Sequence, residues 1–193
     1  IAELQEYFSL ENRNGRIRAI PGEGLDIPIY LLGSSSFSAH LAGEKGLPYA
    51  FASHFAPAHL YDALRLYREY FRPSAQLEMP YSMACVNVIA ADTDAEANRL
   101  ATSLYQFAMG IVTNVRRPLP PPVETMDGIW NKDQEAMIKN MMHYTFIGSK
   151  KTIAERLSEF VANTRVDEII AVSHIYDHKV RLRSYEILRE IFF

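Results

Sequence analysis

One stretch of the chain, residues 30–55, has the pattern of a strand, a glycine–serine turn, a helix and a second strand. Residues 29–32 are apolar without alternation, as expected of a parallel strand buried on both faces. Gly33 and three serines follow, and Gly46 ends the predicted helix before a second apolar run. Two strands joined by one helix form a βαβ unit, so this stretch predicts an α/β fold.

The same alternation continues along the rest of the chain. We predict strand 28–32 with helix 37–45, strand 48–53 with helix 57–72, strand 82–91 with helix 93–110, a helix at 150–163, and strand 167–173 with helix 177–192. An amphipathic helix is expected at 1–10. Strands that alternate with helices form a parallel sheet, and the length of 193 residues suits a single domain over 1–193.

The turn after the first predicted strand has the chemistry of an anion site. Gly33 has no side chain to obstruct a ligand, and Ser34, Ser35 and Ser36 offer hydroxyl and N–H groups at the start of a helix. A helix start favours negative charge, typically phosphate. A plain helix cap is an equally good interpretation of these serines taken alone.

Histidines follow two of the predicted strands. His54 titrates near neutral pH at a strand end, which makes it the candidate for acid–base chemistry, with a positioning role as the alternative. His174 ends the last strand, and Asp177 and His178 come soon after it. A metal site needs further converging ligands, so we predict that Asp177 caps a helix and that no metal binds.

Composition restricts the partners. The formal net charge of −3 argues against nucleic acid, and the basic pair Arg116-Arg117 is expected in a solvated loop beside a proline run. The sequence has no apolar run of about 20 residues and no signal-like start, so we expect no membrane segment. The single cysteine, Cys85, cannot form an internal disulfide, which suits the cytoplasm.

Several longer motifs occur in an order that resembles the bacterial luciferase-like, flavin-dependent monooxygenases. They include Leu31-Leu-Gly-Ser-Ser, Gly46-Leu-Pro-Tyr-Ala-Phe-Ala, Phe146-Ile-Gly-Ser149, Ile153-Ala-Glu-Arg-Leu157 and Arg181-x-Arg-Ser-Tyr-Glu186. The resemblance runs from about Pro21 onward and implies the C-terminal half of a (β/α)8 barrel, and both a truncation at the N-terminus and a natural half-length protein fit it. Half a barrel leaves two strand edges, so we expect a homo-oligomer or pairing with a missing N-terminal half.

The resemblance also implies a site and a reaction. Ser34, Ser35 and Ser38 match the turn that holds the FMN phosphate, Gly33 allows its approach, and Phe51, Ala52, Ser53 and His54 match the neighbouring strand end beside the flavin. The implied function is a monooxygenase that uses reduced FMN and O2 on a small organic substrate, with a separate flavin reductase as partner.

Two alternatives are a non-catalytic flavin-binding or structural remnant and a plain interaction module. The chain departs from the family in two respects: some members carry a carboxylate at the position of Ser34, and the usual active-site histidine belongs to the half of the barrel that is not matched.

Overall fold

The computed structural model describes residues 1–25, 27–115 and 117–193. The chain divides into two compact units, Ile1–Tyr30 and Leu31–Phe193. Arg116, which we expected in a solvated loop, lies outside the described residues. The expectation of a single domain over the whole chain stays a prediction.

The first unit is helical. It contains α1, Ala2–Phe8, and a 3-10 helix, Leu10–Asn14, which confirms the helix predicted near the start of the chain. The N–H of Gly24 donates to the carbonyl oxygen of Phe8 at 2.7 Å, so the end of this unit returns to α1. The Arg18 guanidinium pairs with the Glu23 carboxylate at 2.6 Å, which closes the loop between them.

The second unit is a parallel sheet with helices. Its strands are β1 Leu31–Gly33, β2 Tyr49–Phe51, β3 Ser82–Ala90, β4 Thr145–Gly148 and β5 Glu168–Val172. Its helices are α2 Ser36–Glu44, α3 Leu60–Tyr70, α4 Asp94–Val112, α5 Lys132–Met141, α6 Lys150–Thr164 and α7 His178–Phe192. Every strand pairing is parallel, which confirms the predicted fold class.

The long strand β3 organises the sheet. Its residues 82–84 pair with β2, residues 83–87 with β5 and residues 87–90 with β4. Because a residue has one partner on each edge, β5 occupies one edge of β3, and β2 and β4 follow one another along the other edge. On that edge, residues 85 and 86 of β3 pair with neither β2 nor β4, which leaves a break between these two strands. The residues that follow β2 lie beside this break.

Two cores lie on opposite faces of β3, as the alternation of side chains along a strand requires. Val86 and Val88 join the larger core, which α2, α3, α6 and α7 cover. Ile89 joins the second core, which is formed with residues of α4 and α5. Polar caps begin two of the helices: the Thr93 hydroxyl accepts from the N–H of Glu96 at 3.2 Å, and the Asp177 carboxylate, as predicted, accepts from the N–H of Val180 at 3.0 Å.

Two predicted elements were wrong in detail. The first strand begins at Leu31 rather than at Pro28, because β1 lies at the edge of the sheet and pairs with only three residues of β2. No strand was predicted before the helix at 150–163, but Thr145–Gly148 forms β4. Four strands were predicted and five are present among the described residues, since a run of four residues is too short to show a strand period.

Candidate functional site

The sheet brings the two predicted parts of the site side by side. Gly33 pairs with Phe51, and the N–H of Ala52 donates to the carbonyl oxygen of Gly33 at 2.8 Å. The serine turn, residues 34–36, follows β1, and a second segment follows β2. Both therefore begin at the carboxyl ends of neighbouring parallel strands, at the same end of the sheet. Ligands of α/β proteins bind at this carboxyl end of the strands.

The serine turn is partly closed by its own hydroxyl groups. Ser35 caps α2 by accepting from the N–H of Ser38 at 3.4 Å, and the Ser38 hydroxyl donates to the carbonyl oxygen of Ser35 at 2.8 Å. The Ser38 oxygen also lies 3.2 Å from the hydroxyl of Tyr49, whose pKa is raised by burial. Ser35 and Ser38 thus have a structural role at the helix start.

Gly33 is required by the packing of Ser38. A Cβ at position 33 would lie 2.0 Å from the Ser38 hydroxyl oxygen and 2.4 Å from the Ser38 Cβ. Any larger residue would push the first turn of α2 away from β1. The glycine therefore brings this helix start close against the end of the strand.

The outer part of the same turn is open. Ser34, Ser36 and Phe37 are exposed, and the Ser34 and Ser36 hydroxyls have no hydrogen-bond partner among the described residues. The N–H groups of Ser36 and Phe37 lie in the first turn of the helix, so they have no carbonyl acceptor within the helix. This arrangement leaves hydroxyl and N–H donors directed to solvent at a helix N-terminus, where anions are favoured.

The segment after β2 is buried. The Phe51 side chain packs in the larger core, on the face of the sheet that α2 and α3 cover. Because side chains alternate along a strand, Ala52 points to the opposite face. The Ser53 hydroxyl donates to the carbonyl oxygen of Cys85 at 2.5 Å and fills the break between β2 and β4. The structure therefore places Ser53 as a structural link, and the neighbouring Ala52 is itself buried.

His54 is half-buried beside this link. Its Nδ1 is buried and has no hydrogen-bond partner in the part of the chain that the structure describes. Burial lowers the pKa of His54, and the nearby His174 lowers it further. The ring packs edge-on against Phe55, with 4.6 Å between the ring centroids. A neutral imidazole with a free ring nitrogen suits proton transfer or hydrogen bonding, so the catalytic role stays a prediction.

Two residues near His54 were missed or set aside by the sequence analysis. Asn87 is a buried amide on β3, and its Nδ2 donates to the carbonyl oxygen of His54 at 2.7 Å. His174 has a buried, unpartnered Nδ1, and its pKa is lowered by burial and then by Arg181. The available signal was a single amide within the apolar run of β3, which marks a polar contact at that level of the sheet.

The structure also bears on metals and membranes. Within residues 1–25, 27–115 and 117–193, no three side chains of His, Cys, Asp or Glu are grouped so that they would hold a metal ion. Among the helices described, none combines the length and the apolar character needed to cross a membrane.

The parallel strands, the covering helices and the open turn at the strand ends form the arrangement in which (β/α) barrels bind their ligands. Residues 5–168 match the luciferase-like monooxygenase family, and the chain belongs to that family. It is 41% identical over 191 residues to a luciferase-like monooxygenase of Escherichia coli strain K12, which covers 99% of this chain and 57% of the relative.

Solved structures have the same fold. The crystal structure of apo-MsnO8 matches with a TM-score of 0.85 at 29% identity, covering 99% of this chain and 58% of that one. A type II Baeyer-Villiger monooxygenase component from Pseudomonas putida, solved in complex with FMN, matches with a TM-score of 0.58 at 19% identity over 93% of this chain and 52% of its own. The chain thus spans little more than half the length of the relatives it matches.

The open turn fits the phosphate of FMN. Its free N–H and hydroxyl groups are donors, which a phosphate needs, and Gly33 removes the side chain that would separate the helix start from the strand end. The Ser35 cap uses a lone pair of the hydroxyl oxygen, and the Ser35 hydroxyl hydrogen faces only the Ser38 hydroxyl oxygen at a long 3.5 Å, so it can turn to donate to a ligand.

Proposed function

We propose that this chain carries the FMN-phosphate-binding half of an FMN-dependent monooxygenase that acts on a small organic substrate. The single observation that carries the proposal is the open N-terminus of α2 at the carboxyl end of β1, held there by Gly33. Membership of the luciferase-like monooxygenase family supports the same conclusion.

The phosphate contacts would come from the exposed part of the serine turn. Ser34 and Ser36 would donate from their hydroxyls, the N–H groups of Ser36 and Phe37 from the backbone, and Ser35 from its hydroxyl hydrogen. We assign Ser38 a different role from the one that the resemblance implies, because its hydroxyl donates to the Ser35 carbonyl oxygen. It would support the turn rather than touch the ligand.

The flavin would lie against the neighbouring strand end. Ala52 would give it a small, flat wall, and Ser53 would keep that wall in place through its bond to the Cys85 carbonyl. When bound, reduced FMN supplies the electrons for the activation of O2. The His54 Nδ1 is the protein atom in this chain that we assign to hold or release a proton beside it, since no described group bonds it.

The proposal includes partners and a location. O2 and the organic molecule are the substrates, a separate flavin reductase supplies reduced FMN, and the reaction takes place in the cytoplasm. The edge strands β1 and β5 each pair with one described strand only, which supports assembly as a homo-oligomer or with an N-terminal half.

Binding of FMN and riboflavin tests the site directly, because riboflavin lacks the phosphate. We expect FMN to bind at least about tenfold more tightly than riboflavin in a fluorescence titration, since charge-assisted hydrogen bonds contribute about 1.5–3 kcal/mol each. The double variant Ser34→Ala with Ser36→Ala should lose most of this preference and keep its stability, because both side chains are exposed.

Ser158→Ala, an exposed serine on α6, is the matched control and should bind FMN like the unaltered protein. Equal affinity for the two flavins, or an unchanged FMN affinity in the double variant, would reject the phosphate site. Tight FMN binding without substrate-dependent O2 uptake, in the presence of NAD(P)H and a flavin reductase, would instead favour the non-catalytic alternative.

A further inference from the structure

A buried tyrosine lies beneath the serine turn, on its core side. Tyr49 of β2 is 0% exposed in the larger core, and it pairs in register with Leu31 of β1. Its long side chain reaches past the end of β1, where the hydroxyl comes within hydrogen-bond distance of Ser35 and Ser38. The donors of the open turn do not include this hydroxyl, so its role there is a separate one.

The Tyr49 hydroxyl helps to hold the carbonyl group of Ser35. It donates to the Ser35 carbonyl oxygen at 3.3 Å, and the Ser38 hydroxyl donates to the same oxygen at 2.8 Å. The helical hydrogen bond to this oxygen, from the N–H of Ala39, is long at 3.4 Å. The direction of the Ser35 carbonyl therefore depends on the two hydroxyls as well as on the helix.

The Ser35 carbonyl and the Ser36 N–H belong to one peptide group. Because a trans peptide group is planar, its C=O and N–H bonds point in opposite directions. A carbonyl that is held toward the Tyr49 hydroxyl in the core thus turns the N–H of Ser36 outward, to the solvent side of the turn. This N–H is one of the donors that we assign to the phosphate.

The hydroxyl groups around the Ser35 carbonyl form a small neutral network. The Tyr49 and Ser38 hydroxyl oxygens are 3.2 Å apart, and the Ser38 hydrogen is directed to the carbonyl, so Tyr49 is the donor in both of its contacts. Burial raises the pKa of Tyr49, so its hydroxyl keeps its hydrogen at neutral pH. Gly33 leaves the space for this network, since a Cβ there would lie 3.8 Å from the Tyr49 oxygen and 2.0 Å from the Ser38 oxygen.

A second buried tyrosine in the same core makes different contacts. Tyr67 of α3 is also 0% exposed, and its ring centroid lies 5.3 Å from that of Tyr49. The Tyr67 hydroxyl donates to the carbonyl oxygens of Leu47 at 2.9 Å and of Tyr81 at 3.2 Å. These two residues precede β2 and β3, so the two hydroxyls serve opposite ends of the sheet. Tyr67 is therefore a matched reference for a buried hydroxyl that does not contact the serine turn.

We propose that Tyr49 is a positioning residue for the phosphate of FMN: its hydroxyl holds the Ser35 carbonyl toward the core and thereby directs the N–H of Ser36 to the phosphate. This inference rests on the proposed function, because that function places the phosphate at the serine turn. Tyr49 does not touch the ligand, since its side chain is buried on the core side of the turn. Loss of its hydroxyl weakens recognition of the phosphate and leaves binding of the flavin ring unchanged.

The substitution Tyr49→Phe tests this role, because it keeps the ring in the core and removes only the hydroxyl. We expect the affinity for FMN to fall at least about fivefold, since the Ser36 N–H is then no longer fixed toward the phosphate. The affinity for riboflavin, which lacks the phosphate, should not change. Fluorescence titrations measure both affinities, and circular dichroism verifies that the variant is folded.

Tyr67→Phe is the matched control. It also removes a buried hydroxyl from the same core, but this hydroxyl bonds at the other end of the sheet. The ratio of the two flavin affinities should therefore equal that of the unaltered protein. An equal loss of the ratio in both variants would point to a general loosening of the core and would overturn the inference.

A measurement on the unaltered protein covers the case in which Tyr49→Phe does not fold. In protein with 13C-labelled tyrosine, the NMR signals of the Tyr49 ring should differ between the FMN and riboflavin complexes, because only FMN brings a phosphate to the peptide group that its hydroxyl holds. The signals of the Tyr67 ring should be the same in both complexes. Identical Tyr49 signals in the two complexes would overturn the inference.

The unaltered protein distinguishes failure of this inference from failure of the proposed function. If it prefers FMN to riboflavin and Tyr49→Phe keeps the full preference, the inference is overturned and the phosphate site stands. If the unaltered protein binds the two flavins equally, the proposed function is overturned, and the inference is overturned with it.

Discussion

The substitution Gly33→Ala tests how the serine turn is held against the sheet. The added Cβ would lie 2.0 Å from the Ser38 oxygen and 2.4 Å from the Ser38 Cβ. Overpacking of this kind costs about 1–3 kcal/mol. The displaced Ser38 hydroxyl also loses its 2.8 Å bond to the Ser35 carbonyl oxygen, which contributes about 1 kcal/mol. We therefore expect the free energy of unfolding to fall by about 2–4 kcal/mol.

Two double variants show which atom causes the loss. Adding Ser38→Ala to Gly33→Ala removes only the hydroxyl conflict and leaves the Cβ contact at 2.4 Å, so the protein should remain as unstable as the single variant. Adding Ser38→Gly removes both conflicts. Ser38→Gly alone carries the cost of about 0.5–1 kcal/mol for glycine in a helix, so the pair should be about 2 kcal/mol less destabilising than the sum of the two single variants.

Urea unfolding followed by circular dichroism measures all of these free energies, with Ser38→Ala and Ser38→Gly alone completing the two cycles. The reasoning would be refuted if Ser38→Ala rescued Gly33→Ala as well as Ser38→Gly does. A loss below about 0.5 kcal/mol for Gly33→Ala would refute it too, because the turn would then be free to relax.

Two further predictions concern buried polar groups. Tyr67→Phe should lower the free energy of unfolding, measured by urea unfolding, by about 1–3 kcal/mol, because the Tyr67 hydroxyl donates to the Leu47 carbonyl oxygen at 2.9 Å in a buried site. Tyr70→Phe on the same helix is the control. Equal effects of the two substitutions would contradict a contribution from this hydrogen bond. The free energy of unfolding should also fall as the pH drops below about 6.5. His54 and His174 have lowered pKa values in the folded protein, so the unfolded chain binds more protons in this range. The free energy of unfolding should change by at most about 1.4 kcal/mol per pH unit for each histidine. His174→Gln should reduce this slope, and an unchanged slope would remove His174 as its source.

Local sequence signals predicted much of the secondary structure. The caps Thr93 and Asp177 mark helix starts that the structure confirms, and Gly46, with a φ of 60°, ends α2 as its position in the sequence predicted. These features depend on residues within a few positions of one another. The strand β4 was missed because its identity depends on pairing with residues 87–90, which lie far away in the sequence.

The candidate site shows the same division. The sequence indicated an anion-accepting turn, and the structure adds that Ser35 and Ser38 support the turn while Ser34 and Ser36 stay open. Asn87 looked like an ordinary position of an apolar strand. Its contact with His54 exists because the end of β2 leaves the edge of β3 at that level.

The amino-acid sequence by itself determined the alternation of strands and helices, the helix caps and the glycine–serine turn, because these follow from the preferences of neighbouring residues. The tertiary structure alone decided which strand ends meet and which hydroxyls remain free. It also decided that buried polar atoms of His54, Asn87 and His174 find no hydrogen-bond partner among the described residues. Such juxtapositions depend on strand pairing between distant segments, and pairing is set by the packing of the whole sheet rather than by any local pattern.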